Sequence, residues 1–455
     1  SIQQIPVTSS GKINYKALPT PSFLTEGSAE FVAPSNETET TLLGIWQQLL
    51  GREKISTKDN FFGLGGNSLM VMRLLSAVRK QLSVEVEVNA FFRNPTITEL
   101  AAYIGSISKG DVLPEISSTV RPATIPLSFS QERLWFIDKL EGSLPYHVYN
   151  VIQLHGQLNF AAFETSILKV IERHEVLRTT INEVDGQASQ VIGTADNWKL
   201  ELLDFSLKSY SQEQLHEQIL NLVNRPFDLS ADSMMRATLI KTAPQEMILV
   251  ITMHHIASDA WSLSILVNEV VEIYESITHN RKLNLKDLPV QYADYAVWQR
   301  NYLTGKVLEN KLTYWTQKLD DVSYLNLPTD FARPAIGNTK GGLVKFTISK
   351  ALSAQIRNLT KSQGTTLYMT LLAAYKVMLS KYSRQEDICV GTSIANRTMQ
   401  EVEPLIGFFV NTLALRTNVT QDATFSNLLN DVKQTVLEAY QHQDVPFEKV
   451  VDLVI

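Results

Sequence analysis

The sequence predicts a multidomain chain, with a compact all-α unit at residues 37–107 followed by a larger α/β region of two sandwich-like lobes from 125 onward. Three observations carry this. Apolar residues recur at helical spacing throughout 37–107. Strand-like and helix-like stretches alternate from 125 to the end. A Ser- and Pro-rich stretch, 108–124, separates the two as a linker.

Length and composition set the frame. A chain of 455 residues with 44% hydrophobic and 19% charged residues suits several soluble domains with real cores. A net charge of −6 leaves no basic stripe, which argues against nucleic acid as a partner. Cys389 is the lone cysteine, so no internal disulfide forms and a reducing, cytoplasmic setting is expected. It sits in a strand-like stretch, where a free cysteine acts as a small buried hydrophobe. No run of 18 apolar residues is present, so no membrane helix is expected, and no signal peptide is visible. No metal-ligand pattern stands out. The chain begins at Ser1 in mid-pattern, which reads as part of something longer.

In chain order, residues 1–21 read as a polar tail punctuated by Pro6, Gly11, Pro19 and Pro21. Lys12 closes its Thr8–Lys12 polar loop, either as an anion-binding lysine or as a solvated charge. Leu42, Ile45, Trp46 and Leu49 then mark a first amphipathic helix, and Leu69, Met72, Leu75, Val78 and Leu82 a second. Pro95-Thr96 opens a third, with Leu100 and Ile104 facing inward. Ser68 stands at the start of the second helix, just after Gly65-Gly66-Asn67. It reads either as an ordinary N-cap or as an exposed hydroxyl that carries a covalent group.

In the α/β region the spacing predicts strands at 148–155, 234–241, 247–253, 344–348, 387–393 and 408–416. A hairpin is predicted over 179–191, turning at Asp185-Gly186. Helices are predicted at 160–177, 212–223, 261–278, 307–319, 351–362, 367–382 and 425–441. His254 and His255 fall at the end of the apolar run Met247–Met253, with Asp259 four positions on. Adjacent strand residues point to opposite faces, so one histidine can face a cavity while the other packs inward. An imidazole can take a proton near neutral pH. Two structural histidines at a strand end give the same pattern.

Asp59-Asn60-Phe61-Phe62-Gly63-Leu64-Gly65-Gly66-Asn67-Ser68-Leu69 closely resembles the attachment motif of peptidyl carrier proteins in nonribosomal peptide synthetases. The resemblance implies a small all-α four-helix-type carrier bundle with a 4′-phosphopantetheine arm on Ser68. Ile5 to Pro19 is similar to the last motif of an adenylation domain, with Tyr15 where that family often has arginine. That makes 1–21 the tail of an adenylation domain and Lys12 its lysine. The region 125–455 resembles a condensation domain of the same family. Leu127–Phe136, Arg173–Thr179, His254–Ala260, Tyr292–Gln299, Ile406–Thr412 and His442–Glu448 match its motifs in order.

The resemblance implies two chloramphenicol-acetyltransferase-like lobes with the active site at their junction. It also implies peptide-bond formation, with an upstream adenylation domain, a downstream acceptor carrier and a phosphopantetheinyl transferase as partners. In the site it implies that His255 orients or deprotonates the acceptor amine and that His254 is structural. Asp259 is expected to pair with a buried arginine, Arg178 or Arg397. An epimerization domain shares the two histidines and the aspartate but continues Gly-Val-Ser-Trp, where this chain has Ala260-Trp261-Ser262-Leu263. Heterocyclization domains replace the histidines with an Asp-rich motif. A non-catalytic recruitment platform of the same fold tends to lose them. Two departures stand out. Ala260 replaces the usual glycine, at a cost of about 1 kcal/mol if that position is left-handed. The chain also ends before the family's final motif, from which an incomplete second lobe is expected.

Overall fold

The computed structural model describes residues 31–107, 113–118, 121–206, 210–332 and 341–454. The 1–21 tail, with Lys12, lies outside the described residues.

Four helices build the first unit: α1 (Glu37–Leu50), α2 (Ser68–Leu82), α3 (Val88–Arg93) and α4 (Ile97–Ser106). Asn36, Asn67 and Thr96 cap α1, α2 and α4 by accepting from backbone N–H groups of the first turn. The core is aromatic. Phe61 packs edge-on against Trp46 at 4.9 Å and Phe91 at 5.3 Å between ring centres, the arrangement ring quadrupoles favour.

The second region begins with β1 (Ile125–Pro126), α5 (Phe129–Glu141), β2 (His147–His155) and α6 (Phe160–Arg173). It continues with β3 (Thr179–Val184), β4 (Gln187–Ile192), β5 (Glu201–Asp204) and α7 (Gln212–Val223). Then come β6 (Met235–Ala243), β7 (Glu246–His254), α8 (Ala260–Thr278) and α9 (Tyr292–Tyr302). The main sheet of this first lobe has the order β2-β7-β6-β5, antiparallel except for the parallel β5–β6 pair. Leu249, Ile251 and Met253 of β7 face the core shared with α6 and α8, while Ile248 and Val250 face α7. A strand covered on both faces carries apolar residues continuously, which is why Met247–Met253 shows no alternation. The β3–β4 hairpin turns through Asp185 and Gly186, both left-handed (φ 51° and 75°), as a two-residue turn of this twist requires.

The second lobe contains α10 (Gly305–Leu319), α11 (Lys350–Ser362), α12 (Leu367–Ser383), β8 (Asp387–Ile394), β9 (Asn411–Asn418), α13 (Phe425–Gln441) and α14 (Phe447–Val454). β8 and β9 pair antiparallel, and Ile388, Leu413 and Leu415 pack on α12 and α13. Between these strands the chain crosses to the first lobe, where Met399, Val402, Leu405, Ile406 and Phe409 enter its core. The linker is pinned to the first lobe. Trp298 donates to the Pro114 carbonyl (2.8 Å), Ile116 is buried, and Arg121 bridges Asp294 and Glu175.

Several elements depart from expectation. Residues 344–348 form no strand. Leu343, Val344 and Phe346 are 81%, 87% and 84% exposed, with no strand beside them among the described residues. The predicted strand 408–416 starts at Asn411, because Phe408 and Phe409 belong to the crossing segment. The helix expected over 160–177 ends at Arg173 and passes into a 3₁₀ turn at Glu175–Arg178. Ala260 is the first residue of α8 and has no positive φ, so no left-handed strain arises there.

Candidate active site and carrier interface

The two histidines part company where β7 ends. His254 is the last residue of the strand and fully buried. Its Nδ1 accepts from the Ile256 N–H at 3.1 Å. Burial, with lesser contributions from His147 and His255, pushes its pKa down to about 3, so the ring is neutral at physiological pH. Asp138 lies 3.8 Å from His254 Nε2, but no hydrogen bond joins them, and a neutral ring makes no ion pair. His254 therefore packs among Tyr146, His147 and Phe227 as a core residue.

His255 begins the 3₁₀ turn His255–Ala257 and is only partly buried. Its Nδ1 lies 2.7 Å from the Ser258 carbonyl oxygen. A carbonyl can only accept, so Nδ1 carries the proton and Nε2 presents a lone pair. The ring sits edge-on to Phe408 at 4.7 Å, which fixes its plane.

Asp259 caps α8, accepting from the Ser262 N–H at 2.9 Å and the Ser262 hydroxyl at 2.7 Å. Arg397, reaching across from the segment after β8, donates to both Asp259 oxygens at 3.1 and 3.2 Å. The Phe409 N–H completes the set at 3.3 Å. Both carboxylate oxygens are thus occupied, and Asp259 is fully buried. Arg397 also donates to the Val402 and Leu405 carbonyls at 2.7 Å and lies over the Phe409 ring. Burial lowers its pKa and Asp259 opposes that shift. Arg178 is not the partner: its guanidinium binds the Gly193 and Glu172 carbonyls instead. Tyr292 reinforces the junction, donating to the Phe408 carbonyl at 2.7 Å. A Cβ on Gly407 would strike the Tyr292 ring, so only glycine lets that segment pass.

In the helical unit Asn67, not Ser68, is the cap of α2. The Ser68 hydroxyl is left free of capping and faces the second lobe. It lines a cavity of about 300 Å³ with Met72, Tyr368, Asn396, Arg397, Tyr440 and Gln443. Burial pushes the Tyr440 hydroxyl up to about 12, with Ser68 beside it acting in the opposite direction. The same Arg397 that holds Asp259 therefore walls the cavity facing Ser68. The contacts around this cavity join α2 to the crossing segment. Arg73 pairs with Glu403 and Lys80 with Glu401, each at 2.9 Å, and Arg79 donates to the Thr398 carbonyl at 3.3 Å. The loop before Ser68 depends on Gly66, where a Cβ would overlap the Phe61 ring and lie 2.8 Å from the Phe61 carbonyl oxygen.

The sequence places His254, His255, Asp259 and Ser68 and offers Arg397 as one of two partners for Asp259, but it does not point to Tyr440 or the carrier-facing acids Glu401 and Glu403. These come from residues far apart in the chain, and no local pattern pairs them. Among the described residues no His, Cys, Asp or Glu cluster is arranged to hold a metal, and no helix is long and apolar enough to cross a membrane.

Comparison with known proteins follows the same division. The family described as "Condensation domain" matches residues 122–454, and "Phosphopantetheine attachment site" matches residues 40–104. Gramicidin S synthase 2 of Aneurinibacillus migulanus is 39% identical over 99% of this chain and 10% of its own length. Tyrocidine synthase 3 of Brevibacillus parabrevis is 37% identical over 99% of this chain and 7% of its own. The chain thus spans about a tenth or less of the curated relatives it matches. Among solved structures, the X-domain from teicoplanin biosynthesis superposes with a TM-score of 0.68 at 28% identity, over 75% of this chain and 76% of that one. The first condensation domain of the CDA synthetase, at 15% identity and a TM-score of 0.60 over 73% of this chain and 79% of its own, shares the fold.

Proposed function

The chain belongs to the condensation-domain family of nonribosomal peptide synthetases, preceded by a phosphopantetheine carrier, and on that premise we propose that its two parts work as donor and catalyst of one peptide-bond-forming step. Ser68 suits 4′-phosphopantetheine: its hydroxyl is not used in capping, and it faces a cavity rather than the carrier's own core. When bound, that group supplies a thiol at the end of a flexible arm, on which an acyl group is held as a thioester. Asn67, Leu69 and Met72 flank the attachment point.

His255 is the group that acts on the acceptor. Its Nε2 lone pair accepts a hydrogen bond from the incoming α-amine, holds the nitrogen over the face of the donor carbonyl, and takes up its proton as the C–N bond forms; that proton would then serve the thiol released when the thioester C–S bond breaks. The observation that carries this reading is the Nδ1 contact with the Ser258 carbonyl, which fixes the tautomer needed for an acceptor at Nε2. His254 and Asp259 are positioning residues. One is buried and neutral, and the other is consumed by Arg397 and the α8 cap. The partners implied are an adenylation domain that loads the donor, a phosphopantetheinyl transferase, and a second carrier that brings the acceptor. Retention of both histidines supports condensation over recruitment alone.

The test is single-turnover transfer in the full-length protein, with loaded donor and acceptor carriers and product read by mass. His255→Ala should lower the rate about 10²-fold or more while leaving carrier loading intact. A near-native rate in a folded His255→Ala protein would remove His255 from the reaction.

A further inference from the structure

Helix α2 turns a basic side toward the segment between β8 and β9. Arg73 and Lys80 are seven residues apart, close to two helical turns, so both leave α2 on one face. They meet Glu403 and Glu401 at 2.9 Å each. Arg79, between them, anchors the same face to the Thr398 carbonyl. The acids are two residues apart and well covered, with side-chain exposures of 15% for Glu401 and 18% for Glu403. Burial raises the Glu403 pKa, and Arg73 opposes it most strongly. With no cation opposite, two neighbouring carboxylates would be desolvated side by side. The ledge is held rigidly from behind, because the Glu403 carbonyl accepts from the Trp261 indole at 3.2 Å and Arg397 grips Val402 and Leu405.

We propose that Glu401 and Glu403 form an acidic docking ledge that selects the donor carrier by the cations at positions 73 and 80 of its phosphopantetheine-bearing helix. Carriers with that basic pair are accepted, and carriers with acidic residues there are turned away by like charge. The inference rests on the reading that the Ser68 cavity is the donor entrance.

The native Lys80–Glu401 contact supplies its own reporter. A water-soluble carbodiimide converts the Glu401 carboxyl to an O-acylisourea, and the Lys80 amine attacks its acyl carbon to form an amide with release of the urea; peptide mass spectrometry quantifies that amide in the full chain. We expect a strong cross-link at low salt, weakening as salt rises. Arg73→Glu should cut the yield at least ~10-fold, the scale of a charge reversal at an interface. Arg73→Glu combined with Glu403→Arg should restore it. An unchanged yield in Arg73→Glu, or no recovery in the double reversal, would overturn the ledge whatever the transfer rate. Loss of the cross-link with native donor transfer would leave the ledge standing and overturn the donor-entrance reading instead.

Discussion

Two helices in this molecule begin beside a chemical group, and they begin differently. α2 starts at Ser68 behind an exposed Asn67 cap that accepts one local N–H, from Met70. α8 starts just after the His255 turn behind a fully buried Asp259 cap that is also bonded to Arg397 and Phe409, more than a hundred residues away. The first start is defined locally, so the carrier can leave the second lobe without losing its shape. The second exists only when both lobes are assembled. On the proposed reading, a hydroxyl that a separate enzyme must reach suits the first arrangement, and an imidazole that holds a nucleophile in place suits the second.

The largest expected effect tests the local start. Ser68→Ala should abolish the mass gain on incubation with coenzyme A and a promiscuous phosphopantetheinyl transferase, with the carrier still folded. A mass gain that persists would place the attachment elsewhere. Next comes the assembled start. Asp259→Ala leaves Arg397 buried without its counter-ion and should cost about 3–5 kcal/mol, read as an earlier denaturation transition of the condensation region with the carrier unaffected. A loss below about 1 kcal/mol would mean that the ion pair does not hold the two lobes to the turn. Gly66→Ala sharpens the contrast from the other side. The methyl must displace Phe61, and overpacking of this kind costs roughly 1–3 kcal/mol, confined to the carrier transition. The smallest effect belongs to Ala260→Gly. Ala260 is helical, so no strain is there to relieve, and glycine should destabilise α8 by up to about 1 kcal/mol with condensation retained. A hundredfold loss of transfer at unchanged stability would instead put the Ala260 methyl in the reaction.

The same division decides what could be read from the sequence. α7 and α13 match their expected bounds because a single apolar stripe shows at period 3.6. The β3–β4 hairpin was legible from Asp185-Gly186 alone. α9 was visible as a motif but not as a helix. Its buried side mixes Asp294 and Gln299 with Tyr292, Ala293, Tyr295 and Ala296, so polarity does not mark which face turns inward. Residues 344–348 have strand composition without a neighbouring strand, which composition cannot reveal. His255 was marked by its motif. The choice between Arg178 and Arg397 was not, since a guanidinium 138 residues from Asp259 leaves no local trace.

The pinned linker has a consequence for how often the carrier is found at its cavity. Seven residue steps separate Ile107, at the end of the carrier, from Pro114, fixed beneath Trp298. Whatever path they take, covalent geometry limits them to about 25 Å. The carrier is thus a tethered ligand, and a tether this short sets an effective concentration on the order of millimolar. At that concentration an interface far too weak to hold two separate proteins together stays occupied much of the time. On the proposed reading, a contact that weak also parts often, which leaves Ser68 open to the enzymes that load it.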